Sequence, residues 1–155
     1  MSNFFLDSSA VVKRYQHETG SDWITALLDP VAGHTIILGE ITLAEVSAAL
    51  AAKHRAPKGI TRQECDQAVA LFLGHCDTDY ELTAVNRLVI DRAVILTQNH
   101  RLRGYDAVQL ATALTANAVL TSAGLSPLTF VAADDDLVQA ARAEGLAAEN
   151  PNAHP

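Results

Sequence analysis

Four acidic positions carry the chemistry open to this chain. Asp7 directly follows the apolar run Phe4-Phe5-Leu6, and Glu45 sits within Thr42-Leu43-Ala44-Glu45-Val46. Asp106 opens the stretch Tyr105-Asp106-Ala107-Val108-Gln109-Leu110-Ala111, and Asp134 leads Asp134-Asp135-Asp136 after Phe130-Val131-Ala132-Ala133. Carboxylates gathered within ~4 Å repel by about 4 kcal/mol per pair at an effective dielectric of 20. A divalent cation removes that penalty, and a donor set of acids completed by water suits Mg²⁺ or Mn²⁺ rather than zinc. Phosphodiester hydrolysis is what such a site does best, because the ion activates and orients water and neutralises charge on the phosphoryl and leaving oxygens. No side-chain nucleophile is needed.

Each acid also has a purely structural reading. Asp7 suits a helix N-cap, as do Ser8 and Ser9 beside it. Glu45 has Ile41, Ala48, Ala49 and Ala52 at helical spacing, an apolar stripe that turns the carboxylate inward, where burial demands a partner or a cation. At the margin of that stripe it would instead reach water. Asp106 favours the dipole of the helix it opens. Of the three consecutive acids, at least one is expected to cap a helix, one or two to sit in its first turn, and a residual carboxylate at the strand's end to face Asp7.

Other chemistries find no support. Cys65 and Cys76 lie on one helical stretch, about 16 Å apart along its axis, too far to bridge. There is no C-x-x-C pair, and the six histidines show no H-x-x-x-H spacing, which argues against zinc and thiol chemistry. A Gly-rich phosphate loop is missing. A phosphatase-like or phosphoacceptor role for Asp7 is not supported either, since Ser9 rather than a second Asp stands two residues on and no partnered lysine follows a later strand. The net charge of −7 excludes indiscriminate nucleic-acid binding. Local clusters (Lys13-Arg14, Lys53-His54-Arg55, Lys58, Arg62, His100-Arg101 and Arg103) would either guide a strand over the acidic surface or be ordinary solvated helix faces.

The elements that must position these residues follow from periodicity and breakers. With 155 residues, 49% hydrophobic and 19% charged, the chain has the size and apolar content of one packed domain. Residues 1–149 are expected as that domain, and 150–155, with two prolines, as a flexible tail. Strands are expected over 3–6, 34–38, 80–85 and 128–133. Helices are expected from 9, over 21–29, 41–54, from a Thr61–Glu64 capping box to about 76, over 86–97, 105–118 and 135–144. Strands alternating with helices indicate an α/β sandwich around a mostly parallel sheet, with ligands at the strands' carboxyl ends. No apolar run approaches the ~18 residues of a membrane span, and the start lacks the basic flank of a signal peptide, so a cytoplasmic protein without membrane contact is expected.

Taken with their neighbours, these residues resemble the PIN-domain nucleases, most closely the VapC toxins of toxin–antitoxin pairs. The likeness rests on Phe5-Leu6-Asp7-Ser8-Ser9-Ala10-Val11-Val12-Lys13, Thr42-Leu43-Ala44-Glu45-Val46, Leu102 to Ala113, and Phe130-Val131-Ala132-Ala133-Asp134 with Leu137, in that order along nearly the whole chain. The resemblance implies a three-layer α/β/α fold and a metal-dependent endoribonuclease. It implies acidic ligands at Asp7, Glu45, Asp106 and Asp134, with Asp136 as an extra candidate and Ser9 as the supporting hydroxyl. It also implies a homodimer, an RNA substrate and an antitoxin partner lying over the active site, with the 41–76 helical hairpin as a docking element. Lys13 and Arg103 are candidates for holding the RNA backbone. Ala132 departs from the Ser or Thr that many relatives carry two residues before the fourth acid. The reading from a different class is a catalytically silent module for protein or RNA recognition, its acids serving only as caps.

Overall fold

The computed structural model describes residues 1–155. Its centre is a parallel five-stranded sheet of β1 (Asn3–Leu6), β2 (Thr35–Gly39), β3 (Glu81–Thr83), β4 (Leu128–Val131) and β5 (Ala147–Glu149), ordered β3-β2-β1-β4-β5. β1 is therefore the middle strand. It pairs Phe5 with Ile37 on one side and with Phe130 on the other. From β1 the chain adds β2 and then β3 on one side and returns to add β4 and β5 on the other, which makes the β1/β4 boundary the switch point where open parallel sheets leave a crevice beyond the strand ends.

Alternation along the strands divides the core in two. Phe5, Ile37, Leu128 and Phe130 turn to one face and pack with α5 (Arg87–Asn99), α6 (Gly104–Ser122) and α7 (Asp135–Ala143). Leu6, Ile36, Leu38 and Val131 turn to the other and pack with α1 (Ser8–Val11), α2 (Ser21–Leu27), α3 (Ile41–Arg55) and α4 (Arg62–Thr78). Both faces of a parallel sheet must be covered because its strands are apolar on both sides. The result is the expected three-layer α/β/α sandwich. Phe5 and Phe130 stack at 5.9 Å across the central strand pair, and both are fully buried.

Local chemistry sets the helix starts. Asn86 accepts a hydrogen bond from the Val89 N–H to cap α5. The Thr61–Glu64 capping box forms as read, each side chain bonding the other's backbone N–H. The small-residue face of α6 is buried at Ala107, Ala111, Thr112 and Ala113, which brings that helix close to the sheet.

Two parts differ from expectation. β5 was not foreseen: Ala147-Ala148-Glu149 has little strand propensity, and pairing with β4 imposes its conformation. The segment 150–155, expected as a flexible tail, forms a short 3₁₀ turn over Pro151–Ala153 with Pro151 buried. His154 stacks on Trp23 at 4.4 Å. Gly20, at φ +83°, admits this contact, since a Cβ there would collide with the Pro151 carbonyl. No helix is long and apolar enough to cross a membrane.

Candidate functional site

The carboxyl ends of β1 and β4 open into a cleft of about 720 Å³, lined by Asp7, Glu45, Asp106 and Asp134 together with Ser8, Ser9 and Arg103. All four sequence-predicted acids therefore share one cavity, delivered by four separate elements. The side chains rim it rather than meet at a point: no three acidic, histidine or cysteine groups stand close enough to hold an ion as they lie.

Asp7 is the most buried of the four, 3% exposed. It caps α1, accepting from the Ala10 N–H at 3.0 Å, and accepts a second bond from the Ser9 hydroxyl at 2.7 Å. Burial pushes its pKa up to about 7; the bonds from Ser9 and Ala10 oppose that shift, and the negative charges of Asp106 and Glu45 add to it. The capping role and the cleft position thus coexist. Ser9 also accepts from the Ala133 N–H at 2.9 Å, so one hydroxyl ties the end of β4 to the carboxylate that ends β1. That places the supporting hydroxyl on the β1 side, while Ala132, fully buried, has no polar atom to contribute.

Glu45 corrects the inward reading of its stripe. The buried ridge of α3 is Thr42, Val46 and Leu50, spaced by four residues. Ala48 and Ala52 are exposed, with Ile41, Glu45 and Ala49 half-buried. Ile41, Ala44, Ala48 and Ala49 line a wall of the cleft instead, because they lie beside the Thr42–Val46–Leu50 ridge that α3 turns into the core. Glu45 stands at the margin, the alternative weighed above, yet it is firmly held. Its Oε1 accepts from Gln109 Nε2 at 2.7 Å and its Oε2 from the Ser8 hydroxyl at 3.2 Å.

Asp106 lies in the first turn of α6 and accepts from Arg103 Nε at 3.2 Å. Arg103 itself is 85% exposed, at the rim. Asp134 caps α7 through Oδ1, bonded by the Leu137 N–H at 3.1 Å, which leaves Oδ2 free of that duty. Asp136 is exposed and borders a neighbouring depression with His100, Arg101 and Arg103. It does not line the main cleft.

Lys13 is not at the site. It is 5% exposed and paired with Glu18 at 3.3 Å, in the 3₁₀ turn Val12–Arg14 that follows α1, and it does not line the cleft. A buried, paired ammonium has no reach to a phosphate in the cleft. Conversely, Ser8 and Gln109 escaped the sequence reading. Gln109 follows Asp106 by one helical turn, so helix spacing placed the two on one face, the only signal available.

Comparison with known proteins agrees with this architecture. The family described as "PIN domain" matches residues 4–143. No curated protein matches the sequence. VapBC2 from Rickettsia felis, solved bound to a DNA fragment from its promoter, is similar at TM-score 0.63 and 16% identity, with 96% of this chain and 98% of that chain covered. VapC20 from Mycobacterium tuberculosis, a toxin that cleaves the sarcin–ricin loop, is similar at TM-score 0.59 and 17% identity, covering 92% and 95%. A toxin–antitoxin complex from Klebsiella pneumoniae reaches TM-score 0.59 at 16% identity, covering 96% and 97%. At such identities the likeness is one of fold.

Proposed function

Since the chain belongs to the PIN domain family, we propose that it is a divalent-metal-dependent endoribonuclease, the toxin of a toxin–antitoxin pair. The observation that carries this reading is the single cleft lined by Asp7, Glu45, Asp106 and Asp134. The donors fit a hard cation: all are carboxylates, and burial above all, with smaller contributions from Asp106 and Glu45, raises the pKa of the most buried one to about 7, so that Mg²⁺ or Mn²⁺ would favour its ionised form. When bound, the ion would activate a water and offset charge on the scissile phosphate.

The chain's own residues supply the rest. Ser9 fixes the direction of the Asp7 carboxylate and keeps the ends of β1 and β4 together. Asp106 and Asp134 line the same cleft as Asp7, and Glu45 is oriented by Ser8. Arg103, exposed at the rim beside Asp106, is placed to take a phosphate of the RNA backbone as a charge-assisted contact. A cytoplasmic homodimer neutralised by a cognate antitoxin completes the proposal, supported by the similarity to toxin–antitoxin structures.

Incubation with RNA, Mg²⁺ or Mn²⁺ tests it. Cleavage is expected to stop with EDTA and to fall about a thousandfold in Asp7→Asn, the scale of losing several kcal/mol of charge stabilisation. Activity that survives both removes the assignment. The second reading, a silent binding module, draws on the capping roles of Asp7 and Asp134. Calorimetry with Mn²⁺ separates the two, because a silent module has no metal binding for Asp106→Asn to abolish.

A further inference from the structure

Gln109 is 1% exposed, in a helix whose neighbouring positions Leu110, Ala111 and Ala113 are apolar and buried. Its amide Nε2 donates twice, to Thr42 Oγ1 at 2.9 Å and to Glu45 Oε1 at 2.7 Å. Its Oε1 is buried with no partner. That oxygen faces the end of β2, where a Cβ on Gly39 would lie 3.7 Å away.

An orphaned carbonyl in a core is a cost that an apolar side chain of the same size would avoid. The arrangement makes sense only through what the other end of the amide does. Turning the amide over would set its oxygen against the Glu45 carboxylate at hydrogen-bond distance, two acceptors facing each other. The observed orientation is the one that spends both N–H groups, and Thr42, fully buried at the start of α3, holds it there.

We propose that Gln109, locked by Thr42, is a positioning residue that fixes the Glu45 carboxylate toward the cleft, so that the site's affinity for a divalent cation depends on an amide that never touches the ion. Ser8, next to Asp7, holds the other oxygen of Glu45. Glu45 is thereby tied to the β1 terminus through Ser8 and to the helix of Asp106 through Gln109, one turn further on. The inference rests on the reading of the cleft as a metal site and adds the residue that orients one of its walls.

The test is a double-mutant cycle read by Mn²⁺ calorimetry on the full chain: the native sequence, Gln109→Met, Glu45→Gln, and both together. Gln109→Met is expected to weaken Mn²⁺ binding about tenfold, the lower end of what loss of an outer-shell partner costs. In the Glu45→Gln background it should weaken it no further. Losses that add, or an unchanged affinity in Gln109→Met, overturn the positioning role while leaving the metal site standing. Native protein that binds no Mn²⁺ removes the metal reading and this inference with it. Should Gln109→Met fail to fold, Thr42→Val frees the amide without emptying the core; its smaller loss must likewise vanish in Glu45→Gln, and a loss that persists there overturns the proposal.

Discussion

The acidic cleft and a second polar cluster flank the same short helix, Asp7 before α1 and Arg14 and Tyr15 just beyond it, and they resolve burial in opposite ways. In the second cluster Arg14 donates to Tyr80 Oη at 2.9 Å, the Tyr80 and Tyr15 hydroxyls bond at 2.7 Å, and Tyr15 Oη lies 2.7 Å from His75 Nδ1. One consistent direction of donation runs from guanidinium to imidazole, ending on a neutral ring nitrogen that accepts. Burial and the Arg14 charge lower the His75 pKa, and burial raises those of Tyr15 and Tyr80, so every group is held in the form that the chain requires. The cleft has no such closure. Its donors run out while its acids still face one another, and Asp7 carries the cost. A polar network that satisfies itself is structural; one that leaves charge of a single sign uncompensated is built for something it does not contain.

The largest test of that contrast is the pH dependence of stability without metal. A carboxyl whose pKa rises from 3.8 unfolded to about 7 folded contributes stability that is whole below pH 3.8 and is lost as pH climbs through 7. Over that window the loss amounts to about 4 kcal/mol. His75 has the opposite sign: its lowered pKa contributes stability present above the ordinary histidine value and lost as pH falls. Urea unfolding of metal-free protein should therefore show Asp7→Asn more stable than the native chain at pH 8 by roughly 4 kcal/mol, and near parity at pH 4. Equal stabilities at pH 8 would mean that Asp7 is not under strain, and the distinction between the two clusters would collapse.

Next in size is Tyr80→Phe. The hydroxyl accepts from Arg14 and bonds Tyr15, so its loss leaves Arg14 with the Leu28 carbonyl, 3.2 Å away, and breaks the chain to His75. A cost of about 1–3 kcal/mol is expected, with Mn²⁺ affinity unchanged. A shifted affinity would show that the two clusters communicate through α1.

The two regions also differ in how legible they were. Asp7 and Asp134 could be read because each follows an apolar strand-like run and precedes a helix, a pattern that itself puts them at strand ends. The layered fold followed from strand and helix alternation. Partners across the fold were invisible: Tyr15 and Tyr80, 65 residues apart, are joined only once α4 has packed, while the pairing of Lys13 with Glu18, only five residues on, depends on how the turn between them folds. For Glu45 spacing alone left the inward and the marginal positions open, since alanines look apolar to a helical wheel whether they line a core or a cleft, and the structure has it at the margin. Gln109 is one polar residue among buried apolar ones on its helix. Its meaning depends on α3 crossing at Thr42, which no local spacing encodes.

The smallest expected effects separate capping from the cleft within the acidic triplet itself. Asp134 caps α7 and lines the cleft, whereas Asp136 is exposed and faces the depression beside His100 to Arg103. Asn caps a helix about as well as Asp, so Asp134→Asn should keep the bond to the Leu137 N–H and change stability by only a few tenths of a kcal/mol. Its Mn²⁺ affinity should nonetheless fall, because an amide replaces one of the charges that attract the cation. Asp136→Asn, outside the cleft, should leave Mn²⁺ affinity within about twofold, the scale of a screened charge at distance. Calorimetry on the two variants side by side decides which acid belongs to the site. The reverse ranking would move the fourth ligand to Asp136 and reduce Asp134 to the cap it visibly is.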